Sequence, residues 1–433
     1  MAQFLKSKDR DFEQKFKMLL GAKREMSSDV RESVATIIQD VITRGDEALF
    51  DLTKKFDRFD ARTNGLRVTE AEIDSAVEQV SKETYEALEL AAERIRDFHA
   101  KQLPNNIDYI DATGTRLGQT WKPVSSVGLY VPGGLASYPS SVLMNAIPAV
   151  VAGVERIVMV VPTPDGIINP LVMAAAKLAG VHEIYRIGGA QAVAALAYGT
   201  DTIEPIDKIV GPGNAFVAEA KRQVFGKIGI DTIAGPSEIL VIADNQNNPR
   251  WIAADLLSQA EHDTVAQSIL ITDDEKYAQM VVGAIEDHLA SLDRRDIALE
   301  SWTNFGAVII VETMDEAVAL SDRLAPEHLE LAVDGADELM QKVKHAGAIF
   351  LGRYTPEAIG DYVAGPNHVL PTARAARFSS GLSVYDFMKR TTFVGCTEES
   401  LNAIGPAAVC LANEEGLGAH ALSVAIRLNG GQE

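Results

Sequence analysis

Histidine side chains next to acidic groups are the first feature of this sequence that can do chemistry. Four of the eight histidines stand beside carboxylates or in loops rich in glycine and proline: His262, His328, His368 and His420. All four lie in the C-terminal half of the chain. An imidazole titrates near neutral pH and is a common ligand of borderline metals. Such clusters therefore suit proton transfer or metal coordination.

The pair Gln259 and His262 ends a predicted helix. The two residues are three positions apart and share one helical face. An imidazole with an oxygen ligand one turn away is half of a possible zinc site. The same residues also fit the polar end of a surface helix, and the local pattern leaves both interpretations open.

Glu327 and His328 are adjacent and follow a proline at a predicted junction between a helix and a strand. Together they offer two groups for proton transfer, with the imidazole as the better general base. An ordinary junction broken by a proline is the alternative.

Two further acid and histidine pairs lie closer to the C-terminus. Asp361 and His368 follow the last predicted strand, and ligands collect at the carboxyl ends of parallel strands. Glu415 and His420 stand in the last predicted helical segment, where an acid that caps a helix is the alternative. None of these pairs defines a site when it is taken alone.

The elements that must position these residues form two runs of alternating strands and helices. The first hundred residues are mostly helical, with a capping box expected at Thr69 and Glu72. Strands are predicted at 124–131, 156–161, 183–187, 208–210, 239–243, 267–272, 306–311 and 347–351, and terminal helices at 398–411 and 416–427. This alternation predicts α/β units with doubly wound parallel sheets.

Three glycine-rich turns follow predicted strands, but none has the Gly-x-Gly-x-x-Gly spacing of a dinucleotide fingerprint, and a P-loop is absent. The turns are Pro132-Gly133-Gly134, Gly188-Gly189-Ala190 and Gly211-Pro212-Gly213. Each permits close approach of the backbone to a ligand, or is simply a tight turn.

Composition excludes several classes of protein. The 433 residues include 61 acidic and 40 basic side chains, a net charge of −21, which disfavours nucleic acid and anionic membranes as partners. No apolar run is long enough to span a membrane, and no signal peptide is recognisable. The two cysteines, Cys396 and Cys410, are too few for a disulfide scaffold. We therefore expect a cytoplasmic protein.

Eight segments, in order and over nearly the whole chain, resemble the histidinol dehydrogenase family. They read VGLYVPGGLASYPSSVLMNAIPA, GGAQAVAALAYGT, KIVGPGNAFV, AGPSEILVIAD, DLLSQAEHD, APEHLEL, GRYTPEAIGDYVAGPNHVLPT and ARFSSGLSVYDFMKR. The resemblance implies oxidation of L-histidinol to L-histidine by way of the aldehyde L-histidinal, with reduction of two NAD. It also implies one Zn²⁺ per subunit.

The resemblance assigns a role to each candidate residue. Glu327 would activate water and His328 would act as the base. The only thiols lie in segments with no paired base, which independently favours a water route over a cysteine nucleophile. The zinc ligands would be Gln259, His262, Asp361 and His420; the other substrate contacts would be Ser237, His368 and Glu415; and the NAD contacts would be Tyr130, Gln191 and Asn214.

The family's architecture implies two incomplete Rossmann-like, doubly wound units, one inserted in the other, with helical N- and C-terminal segments. The expected divisions are 1–24, 25–129 with 239–381, 130–238 and 382–433. The resemblance also implies a homodimer in which residues 382–433 complete the partner's site.

Two alternatives use the same motifs. A paralogue would oxidise another polar amino or sulfonated alcohol, and a catalytically silent protein would only bind NAD. The presence of Ser237, His368 and Glu415 argues against the first, and the presence of Glu327 and His328 against the second.

Overall fold

The computed structural model describes residues 2–21, 28–133, 138–233 and 235–428. Gly134, in the first predicted glycine-rich turn, lies outside these residues. In chain order the described strands are β1 (Gln3–Lys6), β2 (Ile107–Ile110), β3 (Arg116–Pro123), β4 (Ser126–Tyr130), β5 (Arg156–Val160), β6 (Glu183–Tyr185), β7 (Lys208–Val210), β8 (Gly229–Ile230), β9 (Glu238–Ala243), β10 (Gln267–Thr272), β11 (Ala307–Ile310), β12 (His328–Ala332), β13 (Ala348–Leu351) and β14 (Met388–Gly395).

The helices occupy most of the chain between these strands. They are α1 (Phe12–Gly21), α2 (Ser28–Arg44), α3 (Asp46–Asp57), α4 (Ala61–Asn64), α5 (Glu70–Val77), α6 (Lys82–Ala100), α7 (Pro139–Ala152), α8 (Pro170–Ala179), α9 (Gly189–Tyr198), α10 (Ala215–Val224), α11 (Pro249–Ala260), α12 (Glu275–Leu289), α13 (Arg295–Phe305), α14 (Met314–Leu324), α15 (Ala336–Met340), α16 (Glu357–Tyr362), α17 (Glu398–Glu414) and α18 (Gly418–Leu428). Within the described ranges, no helix is both long enough and apolar enough to cross a bilayer.

The larger sheet has six parallel strands in the order β1-β11-β10-β9-β12-β13. Alternate residues of β9 enter apolar layers on opposite faces: Ile239 and Val241 pack in one cluster, and Leu240 and Ile242 in another. Both faces are covered, which explains why these strands are continuous apolar runs in the sequence. The register places His328, the first residue of β12, beside Ile239 and Ala348.

The smaller sheet has five parallel strands in the order β6-β5-β4-β7-β8. All five strands fall between β1 and β9 in the chain, so the unit with the smaller sheet is an insertion between two strands of the larger sheet. The predicted α/β fold class is confirmed. Local signals hold here: α8 begins at its cap Asn169 and ends at Gly180, which has the left-handed conformation. The capping box of Thr69 and Glu72 also forms.

The structure groups the N-terminal residues differently from the expected divisions. Residues 1–24 were expected to be helical, but β1 pairs with β11 in the larger sheet. Helix α2, expected to belong with the larger sheet, packs instead on α9 and α10 of the inserted unit. The reason is its apolar stripe of Val34, Ile38 and Val41, which is buried against the alanine-rich face of α9.

A second compact unit consists of Leu103–Val124 and Met388–Glu433. Its antiparallel sheet has the order β14-β3-β2, and α17 packs on α18. In the expected helical segment at 382–433, the helices predicted at 398–411 and 416–427 form as α17 and α18, whereas β14 was not predicted. That strand pairs with β3, more than 260 positions earlier in the chain, and a pattern read locally does not detect such a pairing.

Candidate functional site

Glu327 and His328 stand at the amino end of β12, which lies between β9 and the edge strand β13 of the larger sheet. Helix α14 ends at Leu324 and is capped by Ala325, whose φ of 47° is left-handed, and Pro326 follows. This turn directs the chain into the sheet, so that both side chains are buried, with 5% and 4% of their surface exposed. The position combines a rigid strand with near-complete exclusion of water.

The backbone of Glu238, the first residue of β9, holds both side chains. Its N–H donates to Oε2 of Glu327 at 2.9 Å. Its carbonyl accepts from Nδ1 of His328 at 3.0 Å. A carbonyl can only accept, so Nδ1 carries the proton and Nε2 is left with a lone pair. The ring is thus held in the tautomer that a general base requires.

The free nitrogen of His328 faces acidic groups on α16. Nε2 lies 3.6 Å from Oε1 of Glu357, and neither atom has a hydrogen-bond partner within the described residues. Oε2 of Glu357 accepts from the hydroxyl of Ser258 at 3.2 Å. One donor atom each of His328, Glu357 and Asp361 lies within 4.8 Å of the others. This close group of polar atoms offers a site for a proton, a cation or a polar substrate.

Burial sets the protonation of these groups. It lowers the pKa of His328 to about 4, so the ring is neutral at neutral pH. It raises the pKa of Glu327 and of Glu357 well above the ordinary value of a glutamic acid. A neutral imidazole beside carboxyl groups with raised pKa values is a proton-transfer centre.

Three acids near His328 were not predicted as site residues: Glu330 and Glu357, which are buried, and Asp255, which is half-buried. Oε1 of Glu330 accepts from the backbone N–H of Glu357 at 2.5 Å, and burial raises the pKa of Asp255 to about 6. The sequence holds a signal for two of them: Glu330 shares a strand face with His328, two positions away, and Glu357 shares a helix face with Asp361, four positions away.

Gln259 and His262, at the end of α11, have a donor arrangement that fits a metal. Gln259 is fully buried, and its Oε1 has no partner in the part of the chain that the structure describes. Its Nε2 lies 3.4 Å from Nδ1 of His262. The charge of His262 contributes to lowering the pKa of His328 and of His368, after burial as the main cause. An orphaned amide oxygen beside an imidazole fits a borderline cation such as Zn²⁺.

Asp361 and His368 are also brought together. Nδ1 of His368 donates to the carbonyl of Asp361 at 2.9 Å and lies 3.8 Å from its Oδ1. Nε2 of His368 is 3.4 Å from the hydroxyl of Ser141 in the first turn of α7. Asp361 follows β13 in the chain, but α16 brings it back to His328, at the amino ends of the strands. The expected placement at the carboxyl edge was therefore wrong for this residue.

Of the three residues predicted to contact NAD, Tyr130 is the last residue of β4, and Gln191 and Asn214 follow β6 and β7 of the inserted sheet. The hydroxyl of Tyr130 accepts from the N–H of Gly189 at 3.0 Å, and burial raises the pKa of Tyr130 to about 12. Gln191 is buried in the first turn of α9. Oδ1 of Asn214 caps α10 by accepting from two backbone N–H groups. These residues do lie at the carboxyl edge of their sheet.

The remaining predicted residues occupy two different places. Ser237 directly precedes Glu238 and β9, and its carbonyl accepts from the N–H of Gln267. Glu415 and His420 belong to the second unit, where Glu415 ends α17 and His420 lies in α18, and both are exposed. Their contribution to the site stays a prediction.

A neutral buried base, together with an inserted Rossmann-like sheet that has glycine-rich turns, fits the class of dehydrogenases that oxidise alcohols. Comparisons with known proteins narrow the class to one family. The family model described as Histidinol dehydrogenase matches residues 21–428. The chain therefore belongs to the histidinol dehydrogenase family.

Similar proteins cover the chain from end to end. The histidinol dehydrogenase of Rhodospirillum rubrum is 64% identical over 430 residues, which is 99% of both chains. That of Ruegeria pomeroyi is 64% identical over 429 residues, again 99% of both. The crystal structure of histidinol dehydrogenase from Elizabethkingia anophelis superposes with a TM-score of 0.95 at 38% identity, covering 99% of this chain and 98% of that one.

We predict that Gly347→Ala displaces the proton-transfer pair. A Cβ at Gly347 would lie 2.5 Å from the carbonyl oxygen of Glu327 and 3.2 Å from Pro371, so the backbone of the pair must shift. Since a displacement of 1 Å can cost about 100-fold in rate, we expect kcat to fall at least tenfold.

Gly283→Ala is the matched control, because that Cβ meets nothing within 4 Å and the residue lies inside α12. It should keep full activity and gain slightly in thermal stability. Equal activity of the two variants would show that the backbone at Gly347 does not position the pair.

Proposed function

We propose that this chain oxidises L-histidinol to L-histidine through L-histidinal, in two steps that each reduce one NAD. Membership of the histidinol dehydrogenase family supports the substrate and the reaction. The observation that carries the chemistry is the imidazole of His328, with Nδ1 bonded to a backbone carbonyl and Nε2 left as a proton acceptor.

His328 would act as the base in both oxidations. In the first, Nε2 takes the hydroxyl proton of the alcohol while the C–H bond breaks. Bound NAD would accept the hydride that leaves this carbon. The low pKa of His328 keeps the ring neutral and able to accept a proton at physiological pH.

Glu327 would prepare the second oxidation. An aldehyde yields an acid by hydride loss only after water has added to it, because the hydrated form carries both the hydride and a hydroxyl proton. In its ionised form Glu327 takes a proton from the attacking water, and burial makes this carboxylate a stronger base than usual by raising its pKa. His328 returns the proton of the first step to the carbonyl oxygen as water adds, and the neutral ring then takes the hydroxyl proton of the hydrate. Both cysteines belong to the second unit and are exposed, which supports a route without a thioester.

Zinc would be held by Gln259, His262 and Asp361, with His420 as the fourth ligand. The orphaned Oε1 of Gln259 supports this set. The ion would supply orientation, by binding the imidazole and amine of the substrate next to His328. Ser237, His368 and Glu415 would contact the remaining polar groups of the substrate, and Tyr130, Gln191 and Asn214 would contact NAD.

We further propose a homodimer, in which Glu415 and His420 of each chain complete the site of the other. The exposure of both residues within their own chain supports this arrangement. A cytoplasmic location is supported by the two free, exposed cysteines, since thiols persist in reducing compartments.

The decisive measurement is the amount of NADH formed per molecule of limiting L-histidinol, with and without a chelator. We expect two NADH, loss of activity on chelation and recovery with Zn²⁺. One NADH would mean that the reaction stops at the aldehyde and that Glu327 does not activate water. No NADH from a folded, zinc-loaded protein would contradict the proposed substrate.

His328→Asn and Glu327→Gln should separate the two proton transfers. Loss of the ring nitrogen should lower both half-reactions by about 100-fold or more. Glu327→Gln should slow oxidation of added L-histidinal much more than oxidation of L-histidinol. Rapid-quench measurement of each half-reaction tests this, and equal slowing of both halves by Glu327→Gln would exclude its role with water.

Mixed dimers test whether sites are shared. Chains with His328→Asn and chains with His420→Asn should each be inactive alone. Unfolded and refolded together, they should regain about a quarter of the wild-type activity, because half of the dimers are mixed and each mixed dimer has one intact site. A mixture that stays inactive would argue for sites built within one chain.

A further inference from the structure

A cavity of about 880 Å³ connects residues of the inserted unit with residues of the larger sheet. Its lining includes Asn214 in the cap of α10, and Glu238 and Pro326, which adjoin the proton-transfer pair. The volume lies within the range of sites for small molecules and cofactors. A ligand in this cavity would therefore extend from a proposed NAD contact toward the catalytic pair.

Two arginines in the cavity wall have no acidic partner among the residues that the structure describes. Within the described residues, no carboxylate oxygen lies within 4 Å of the guanidinium of Arg374 or of Arg377, although the chain has 61 acidic residues against 40 basic ones. Nε of Arg374 is buried without a hydrogen bond, and Nε of Arg377 donates to the carbonyl of Arg374 at 3.0 Å. Burial, and then the charge of Arg377, lowers the pKa of Arg374. These two cations repel each other, and the described part of the chain gives neither an ion-pair partner within 4 Å.

The other charged groups of the lining do not supply such a partner. Arg222 pairs with Glu219 at 3.1 Å. Glu238 and Asp263 also line the cavity, and the charge of Glu238 only partly offsets the lowering of the pKa of Arg374. Because Glu219 offsets Arg222, the charged groups that remain in the lining are Arg374 and Arg377 with Glu238 and Asp263, and neither carboxylate lies within 4 Å of these two guanidinium groups.

The loop that carries the arginines is held in a costly conformation. Ala373 and Arg374 have φ angles of 51° and 64°, in a region that residues other than glycine rarely adopt. The hydroxyl of Thr372 accepts from the N–H of Gly235 at 2.6 Å and ties the loop to the segment before β9. Such strain is typically retained where it positions a functional group.

The phosphates of a dinucleotide usually bind the free backbone N–H groups at the start of a helix that follows a strand. In two of the three glycine-rich turns, some of these N–H groups already donate to a side chain. At α10 the side chain of Asn214 already accepts from the N–H groups of Phe216 and Val217. At α9 the N–H of Gly189 donates to Tyr130. These helix starts therefore have fewer free donors for an anion.

We propose that Arg374 and Arg377 bind the pyrophosphate of NAD in this cavity. The inference rests on the proposed function for the identity of the dinucleotide. Paired guanidinium groups match phosphate oxygens in geometry and charge. The other substrate, L-histidinol, carries an ammonium group at neutral pH and would be repelled by the same arginines. A local cation pair also offsets the repulsion between a dianionic group and a chain of net charge −21.

The test compares Arg374→Gln, Arg377→Gln and the double variant with Arg10→Gln. The control removes one positive charge from an exposed arginine outside the cavity. Calorimetry of the zinc-loaded protein would measure binding of NAD and of inorganic pyrophosphate. We expect the Kd of NAD to rise at least tenfold in the double variant, pyrophosphate to compete with NAD only in the wild type and the control, and the KM of L-histidinol to change less than twofold.

An unchanged Kd of NAD in a folded double variant would overturn the proposal, even when L-histidinol is oxidised normally. Failure of the proposed function is distinguishable, because then the wild type would form no NADH from L-histidinol while the binding data still report on the arginines. A change of oligomeric state in the double variant, with NAD binding unaltered, would show that a second copy of the chain occupies the cavity and would also overturn the proposal.

Discussion

The backbone of Glu238 is the point on which the site depends, because one residue bonds to both Glu327 and His328. Those bonds exist only while β9 pairs with β12 in the observed register, which sets His328 beside Ile239. The alternation along β12 holds the register, since a slip by one residue would move His328 and Glu330 into the apolar layer that contains Leu329 and Leu331. The orientation of the base is thus a property of the core.

Burial then gives this geometry its chemistry. Desolvation lowers the pKa of His328 and keeps its ring neutral. It also raises the pKa of three nearby acids and so favours their protonated forms: Glu327, Glu330 and Glu357. Several polar atoms in it, including Nε2 of His328 and Oε1 of Gln259, lack partners within the described residues. Unpaired buried polar atoms reduce stability, and a bound cation and a polar substrate are the groups that would satisfy them.

The insertion of one sheet in the other explains why the functional residues are so far apart in the chain. The predicted NAD contacts lie at the carboxyl edge of the inserted sheet, as is usual in α/β proteins. The proton-transfer pair lies at the amino edge of the larger sheet. Asn214 and Glu238 line one cavity, so residues at the carboxyl ends of one sheet and the amino ends of the other face the same space. Each sheet alone would offer only half of the groups that the reaction requires.

Local features were determined by the sequence itself. The strands at 208–210 and 267–272, the caps of α8 and the junction between a helix and a strand at Glu327 and His328 all form as their patterns predict. Tertiary structure decided the rest. The pairing of β14 with β3 and the packing of α2 on α9 depend on partners distant in the chain. The bonds from Glu238 come from backbone atoms, which every residue except proline carries in the same form, so no residue type could reveal them. Patterns of side chains specify what is local, whereas long-range register decides which groups meet.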